Sequence, residues 1–453
     1  VACSASLSVM IAGCWLGWPS AANKQLLNNS TEIVVNSEQI SWVVALLDLG
    51  NVVSPIPAGI LMDILGRKAI LTFSAFLYMS TWICTYFAES PALLYVARFL
   101  AGLGKGISFT VVPMYVGEIA SVNIRGALST MFTGLLWAGT MYEFALGPYV
   151  SFRMMAILSG IIPIVFFFSF IWMPDSPYFL LMRERDQEAL ESLRWLRNYK
   201  GKVSSEDPKE YSPEKELKEM KEMILEDMKN KGKFTDLIAD PGNRKATLIV
   251  MVESAFQRLC GISPLLAYSS ITLPDVHYWF IGPSEIVILF GTILTLANYI
   301  ATPLVDSWGR RPLLLISGGG CGILTGISSI FYYFHYNTDM DVSSFYWVPY
   351  LCLCLFGITH SIGIGVLPST LASELFPANV KSIASAVSTI MFALSSFLVN
   401  KLYATVSAQF GVFAMFAFFS FSGFMCAIFT YLFVFETKGK SFAEIQHYLH
   451  SVK

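Results

Sequence analysis

The chain is cut into apolar runs about as long as a bilayer is thick, and one charged stretch separates two sets of them. A helix needs about 20 mostly apolar residues to cross the hydrocarbon core. Twelve runs qualify, roughly 3–22, 40–62, 69–87, 92–116, 127–147, 152–173, 244–271, 285–305, 313–334, 347–373, 383–403 and 411–434. Only 14% of the 453 residues are charged, against about 25% in soluble domains, too few to coat a wet surface. The expected fold is an all-α membrane protein of twelve transmembrane helices in two six-helix bundles. Its parts are an N-terminal bundle (1–182), a cytoplasmic helical linker (183–243), and a C-terminal bundle with a tail (244–453).

The basic residues orient this array. With the linker inside, 24 of the 30 Lys and Arg fall in inner loops or the tail, as positive-inside asymmetry requires. Both termini are then cytoplasmic, and a plasma membrane location is expected. Overlapping sequons at Asn28 and Asn29 fall in the first outer loop, where glycosylation can use them. The chain starts at Val1 rather than Met, with no signal-peptide cleavage pattern, which points to residues missing before the first span. Within the linker, Leu190, Leu193 and Leu196 share a helical face, as do Leu217, Met220, Ile224 and Met228. Ser212-Pro213 suits the start of the second helix.

Several function classes drop out. A net charge of −2 gives no pull toward nucleic acid. All eight cysteines sit in apolar runs and read as small buried hydrophobes. The five histidines form no metal-spaced cluster, and the glycine-rich 102–106 and 318–322 lack P-loop spacing. No hydrolase, kinase or redox constellation is present, so neither an enzyme nor a cofactor is expected. The expected partners are the lipid bilayer and a small solute.

An internal repeat carries the strongest signal. GILMDILGRK at 59–68 returns as TPLVDSWGRR at 302–311, with Asp63 and Asp306 243 positions apart. Glu118 precedes Arg125 by seven residues, and Glu374 precedes Lys381 by seven. PDSPYFLL at 174–181 closes one half, and FETKGKSF at 435–442 closes the other. The order and offset argue for a duplicated six-helix unit. Asp63, Arg67, Glu118, Arg125, Asp306, Arg310, Arg311, Glu374 and Lys381 are expected to form a cytoplasmic gate. Charge-assisted bonds across the two halves would hold that side shut.

On the paired D-x-x-G-R-[KR] loops, Arg98-Phe-Leu-Ala-Gly102, Pro113-Met-Tyr-Val-Gly-Glu118, Arg125-Gly126, PDSPYFLL and the ETKG tail, the chain resembles the sugar-porter branch of the major facilitator superfamily. SWVVALLDLG at 41–50 and Tyr178 are similar to the arthropod facilitated trehalose transporters. The resemblance implies the major facilitator fold, one central sugar site, rocking about it, and a cytoplasmic lock at the charges just named.

The resemblance is weaker at the substrate. The branch's Q-Q-L-S-G-I-N stands here as QRLCGIS, keeping Gln257 but placing Arg258 and Ser263 at the second Gln and the Asn. The fifth-helix Gln falls at Thr133, the eighth-helix Asn near Leu294 beside Thr295, and the tenth-helix Glu and Trp at Ser361 and Ser369. The eleventh-helix Asn-Trp becomes Phe392-Ala393. The expected binding set is Gln257, Arg258, Ser263, Thr133, Ser361 and Ser369. Two readings follow. Either the chain moves a sugar such as a hexose or trehalose by alternating access, or it is a transport-deficient relative that senses a ligand or carries another small solute.

Arg258 at mid-depth costs about 2.5–3.5 kcal/mol unless partnered or wet. Ser254 and Glu143 are candidate partners, while Glu253 stands at a poor angle. His360 reads as a buried structural histidine. Asp48 and Glu253 are intramembrane acids able to carry a proton. Pro19 stands where proton-coupled relatives have an Asp, so facilitated diffusion is expected.

Overall fold

The computed structural model describes residues 1–27, 31, 33–120, 125–197, 212–229, 234–276, 282–440 and 442–451. The sequon residues Asn28 and Asn29 lie outside that set. The first half contains α1 (Ala2–Leu27), α2 (Ser37–Val53), α3 (Pro55–Leu65), α4 (Arg67–Tyr86), α5 (Pro91–Ile119), α6 (Arg125–Leu146) and α7 (Phe152–Phe170). The central segment forms α8 (Pro177–Met182), α9 (Asp186–Leu196), α10 (Pro213–Lys229) and α11 (Asp236–Ala239). The second half contains α12 (Pro241–Leu259), α13 (Ile262–Thr272), α14 (Pro283–Trp308) and α15 (Arg310–Asn337). It continues through α16 (Trp347–Ile362), α17 (Leu367–Glu374), α18 (Ala378–Phe410), α19 (Val412–Phe433) and α20 (Phe442–Ser451).

Ten segments are long and apolar enough to cross a membrane, with α12–α13 and α16–α17 each acting as one. An eleventh is α2 with α3, bent by 46°. Pro55 opens α3, and its missing N–H and ring displace the chain from a straight continuation. The twelfth expected run, 127–147, is α6, whose 22 residues reach about 33 Å; some of its side chains, including Arg125, lie outside the described set.

Each half buries its own core. One cluster runs through α1–α7, from Ala5 and Trp15 to Phe170. The second half holds a patch of buried residues from Leu237 to Leu449, and another into which Ile40, Val44 and Phe144 of the first half insert. Within the first half, α1 and α6 meet backbone to backbone. A Cβ on Gly13 would fall 2.0 Å from the Leu136 carbonyl oxygen, and one on Gly139 2.0 Å from that of Met10.

The apolar face of α10 packs as its spacing predicts, apart from Met228, whose side chain lies outside the described residues. Ile224, Leu217 and Met220 of α10 meet Phe179, Leu180 and Leu181 of α8 and Ala189 of α9. Arg194–Glu214 and Arg197–Glu216, each at 2.6 Å, tie α9 to α10. The face carrying this segment is called the linker face below. Five cysteines are buried as expected, but Cys3 is exposed and Cys84 and Cys354 are half-buried.

Candidate functional site

A buried polar cluster crosses the seam between the halves at mid-depth. Asp48 of α2 is its hub. Its Oδ1 pairs with Lys105 Nζ of α5 at 3.0 Å, and its Oδ2 accepts from Ser396 (2.7 Å) and Asn400 (2.8 Å) of α18. Ser396 meets Ser263 at 2.9 Å, and Ser263 accepts from Arg258 Nη1 at 3.0 Å. Arg98 anchors the neighbouring turn by donating to the carbonyls of Val43 (2.7 Å), Trp15 (2.6 Å) and Val44 (3.2 Å). Carbonyl partners of this kind satisfy a buried guanidinium when no carboxylate faces it.

The expected binding residues fall in two groups. Gln257, Arg258 and Ser263 flank the break between α12 and α13, and Gln257 donates its amide to the Gly365 carbonyl at 2.7 Å. That carbonyl is free because the chain leaves helical geometry between α16 and α17. His360 is buried, stacks on Phe356 and touches the Gln257 carbonyl at 3.2 Å, the structural role expected of it. Thr133 stands apart, lining a cavity of about 60 Å³ with Gly134, Trp137, Thr295, Asn298, Tyr299 and Val366. Ser361 joins this second group through Asn298, whose amide lies 3.2 Å from its hydroxyl. Ser369 is exposed, with its hydroxyl bonded to Val366 of its own turn.

Arg258 takes neither of its expected partners. Glu143 bonds Ser159 and Ser254 bonds Ser388; Arg258 instead lies over the Phe392 ring at 3.7 Å. Leu294 is fully buried in the core. Asn298, one turn further along α14, is the amide at the cavity, and a lone Asn at helical spacing from Thr295 was the signal for it. Asp48 and Lys105 are seam residues that motif comparison passed over, although two opposite intramembrane charges were in view.

At the linker face the duplicated motifs form two matching clusters. Arg67 contacts Glu118 (2.9 Å) and Asp63 (3.2 Å) and donates to the Met62 carbonyl at 3.1 Å. Arg310 contacts Glu374 (2.8 Å) and donates to the Val305 carbonyl at 3.1 Å. The bonds expected across the halves are therefore made within each half, because each acid sits on a helix adjoining its own arginine. Arg311 reaches the Tyr431 carbonyl at 2.8 Å. Lys381 is exposed on α18, and the side chains of Arg125 and Asp306 lie outside the described residues.

The closing motifs supply two further acids. Asp175 accepts from the Lys68 N–H, and Glu436 accepts from the N–H groups of Arg310 (3.0 Å) and Arg311 (3.1 Å). Both thus cap the positive ends of α4 and α15. Burial pushes the Asp175 carboxyl up, over the opposing pull of the Ser176 and Lys68 N–H groups. Burial also opposes ionisation of Glu436, but N–H groups of Arg310, Lys438 and Arg311 hold it below the usual range.

The profile of the Sugar (and other) transporter family matches residues 9–449. This chain belongs to that family. Among its relatives, the facilitated trehalose transporter Tret1 of Polypedilum vanderplanki is 29% identical over 452 residues, covering 98% of this chain and 86% of the relative. The Bombyx mori Tret1 is 28% identical over 450 residues, covering 98% and 85%. The fold of this transporter is that of the xylose transporter XylE from E. coli in an inward open conformation, with a TM-score of 0.77 at 20% identity, covering 99% of this chain and 100% of that one. A partially occluded inward open XylE gives 0.74 over 97% of this chain and 99% of that one, also at 20% identity. It is a multi-pass membrane transporter of the major facilitator fold.

Proposed function

We propose that this transporter moves a sugar, a hexose or a disaccharide such as trehalose, by alternating access and facilitated diffusion. The linker face and both termini are cytoplasmic in this reading, the membrane is the plasma membrane, and the described state is closed toward the outside. The supporting observation is where the halves hold one another. The described bonds between them lie at mid-depth or beyond it, away from the linker face: Asn23 to the Ala267 carbonyl at 3.1 Å, Ser270 to the Ser20 carbonyl, Lys401 to Ser41 at 2.7 Å, and the Asp48 cluster. Toward the linker face, Gln257, Arg258 and Thr133 are only half-buried, as residues facing an opening would be. The Arg67 and Arg310 clusters act as the gate when the halves rock together on that side.

Saturable uptake of radiolabelled glucose or trehalose into liposomes holding only this protein is the expected result. Gln257→Ala should lower it about tenfold or more, as losing a buried amide's hydrogen bonds costs 1–3 kcal/mol, with surface expression unchanged. Uptake that ignores this substitution removes Gln257 from the site. Asp48 already faces Lys105, so acidifying the outside should not speed uptake, and a severalfold rise would establish proton coupling instead. One observation favours a second reading: the Gln257 amide is already spent on Gly365, as in a relative that senses rather than carries. Absence of saturable uptake for both sugars selects it.

A further inference from the structure

Three cations lie in the seam cluster around a single carboxylate. Arg98, Lys105, Arg258 and Asp48 are close enough to act on one another. Arg98 is satisfied by three carbonyls and lies between the Trp15 and Trp18 rings at 5.5 Å each. Lys105 has Asp48.

Arg258 is different. It forms no ion pair among the described residues, and its buried Nε has no hydrogen-bond partner there. Two other intramembrane acids are committed elsewhere: Glu253 to Thr430 (2.9 Å) and Cys426, and Glu143 to Ser159. Its link to Asp48 runs through two hydroxyls. Ser263 accepts from Arg258 and donates to Ser396, which donates to Asp48. Asp48 therefore neutralises Lys105 directly and leaves Arg258 in excess. A cation kept only for packing would have its donors met, as those of Arg98 are, since an uncompensated charge at this depth is costly. The Phe392 face beneath the guanidinium holds its plane without removing its charge.

We propose that Arg258 reads an anionic group on the transported solute. The site then favours a sugar-sized solute bearing one carboxylate or phosphate over a neutral sugar. This names the substrate class of the site above and rests on the transport reading. The planar fork of a guanidinium matches both oxyanions with paired donors.

The test uses the full chain in liposomes and four labelled probes: D-glucuronate, D-glucose 6-phosphate, D-glucose and trehalose. One of the two anions should enter at least about tenfold faster than the neutral sugars and compete with them. Glucuronate alone identifies a carboxylate reader, and the phosphate ester alone a phosphate reader. Arg258→Gln should lower the anion-to-neutral ratio about tenfold to a hundredfold, and Arg258→Lys should restore part of it. Neutral sugars entering while neither anion competes would overturn the proposal. If Arg258→Gln does not fold, competition in the unaltered protein decides. If nothing enters, thermal unfolding in detergent decides: a shift with an anion but not with glucose upholds the anion site while the transport reading falls, and no shift with either anion overturns it.

Discussion

The two linker-face clusters use the same bonds at different depths. In each, an arginine one residue past a glycine returns to a carbonyl five residues back and grips a glutamate at the end of the fourth span of its own half. Yet the side chains of Arg67 and Glu118 are 2% and 9% exposed, while those of Arg310 and Glu374 are 13% and 23%. The capping acids diverge likewise, with Asp175 pushed up by burial and Glu436 held down despite it. Duplication preserved the wiring and not the wetting. The first cluster is built as a fixed part, and the second as the one that water can help release.

The sharpest way to break this contrast is to remove each arginine. Arg67→Ala leaves Glu118 buried without its cation and should cost about 3–5 kcal/mol. Arg310→Ala, in a wetter place, should cost about 1–3 kcal/mol. Equal losses in thermal unfolding in detergent would erase the distinction. Next come the hinges, Gly66 at φ 96° and Gly309 at φ 92°. Alanine at either should cost about 1–3 kcal/mol from the backbone alone. Its Cβ would also fall 2.7 Å from Asp175 Oδ2 or 2.6 Å from Glu436 Oε2. Gly66→Ala should be the worse, because the Phe179 ring stands 2.8 Å away as well; the opposite order would place the stiffer turn in the second half.

The smallest effects are in pH. Glu436 is held down, so its contribution is present above the ordinary carboxylate range and fades as pH falls below that range. Asp175 is pushed up, so the fold favours its protonated form, and that preference is lost as pH rises past the ordinary range. Glu436→Gln should therefore lower the unfolding temperature at pH 7 and lose this effect in acid. Asp175→Asn should raise it at pH 7. Matching signs for both would mean that the two caps do the same work.

The fold was legible because lipid leaves a chain few options: eleven expected spans meet the length and apolarity that crossing demands, and α6 stands in the place of the remaining one. The linker helices followed from leucine spacing. The repeat put both arginines and both glutamates in the expected gate, but the bonds expected across the halves close inside each half instead. Sequence order holds no record of which helices adjoin. Gln257, Arg258 and Ser263 were found together, but Thr133 lines a separate cavity, to which Ser361 is tied only through Asn298. Family positions misled at Leu294, where a one-turn offset moved the polar residue along α14. Asp48 was visible as a costly acid, but its three partners come from α5 and α18, distant in the chain and adjacent only after packing.

The contact between α1 and α6 sets how any such motion is delivered. Where two main chains touch with no side chain to yield, neither helix can slide or roll against the other without a collision of fixed atoms. That part of the first half is a stiff unit, so under the proposed rocking a small tilt at mid-depth would become a wide swing at the rim.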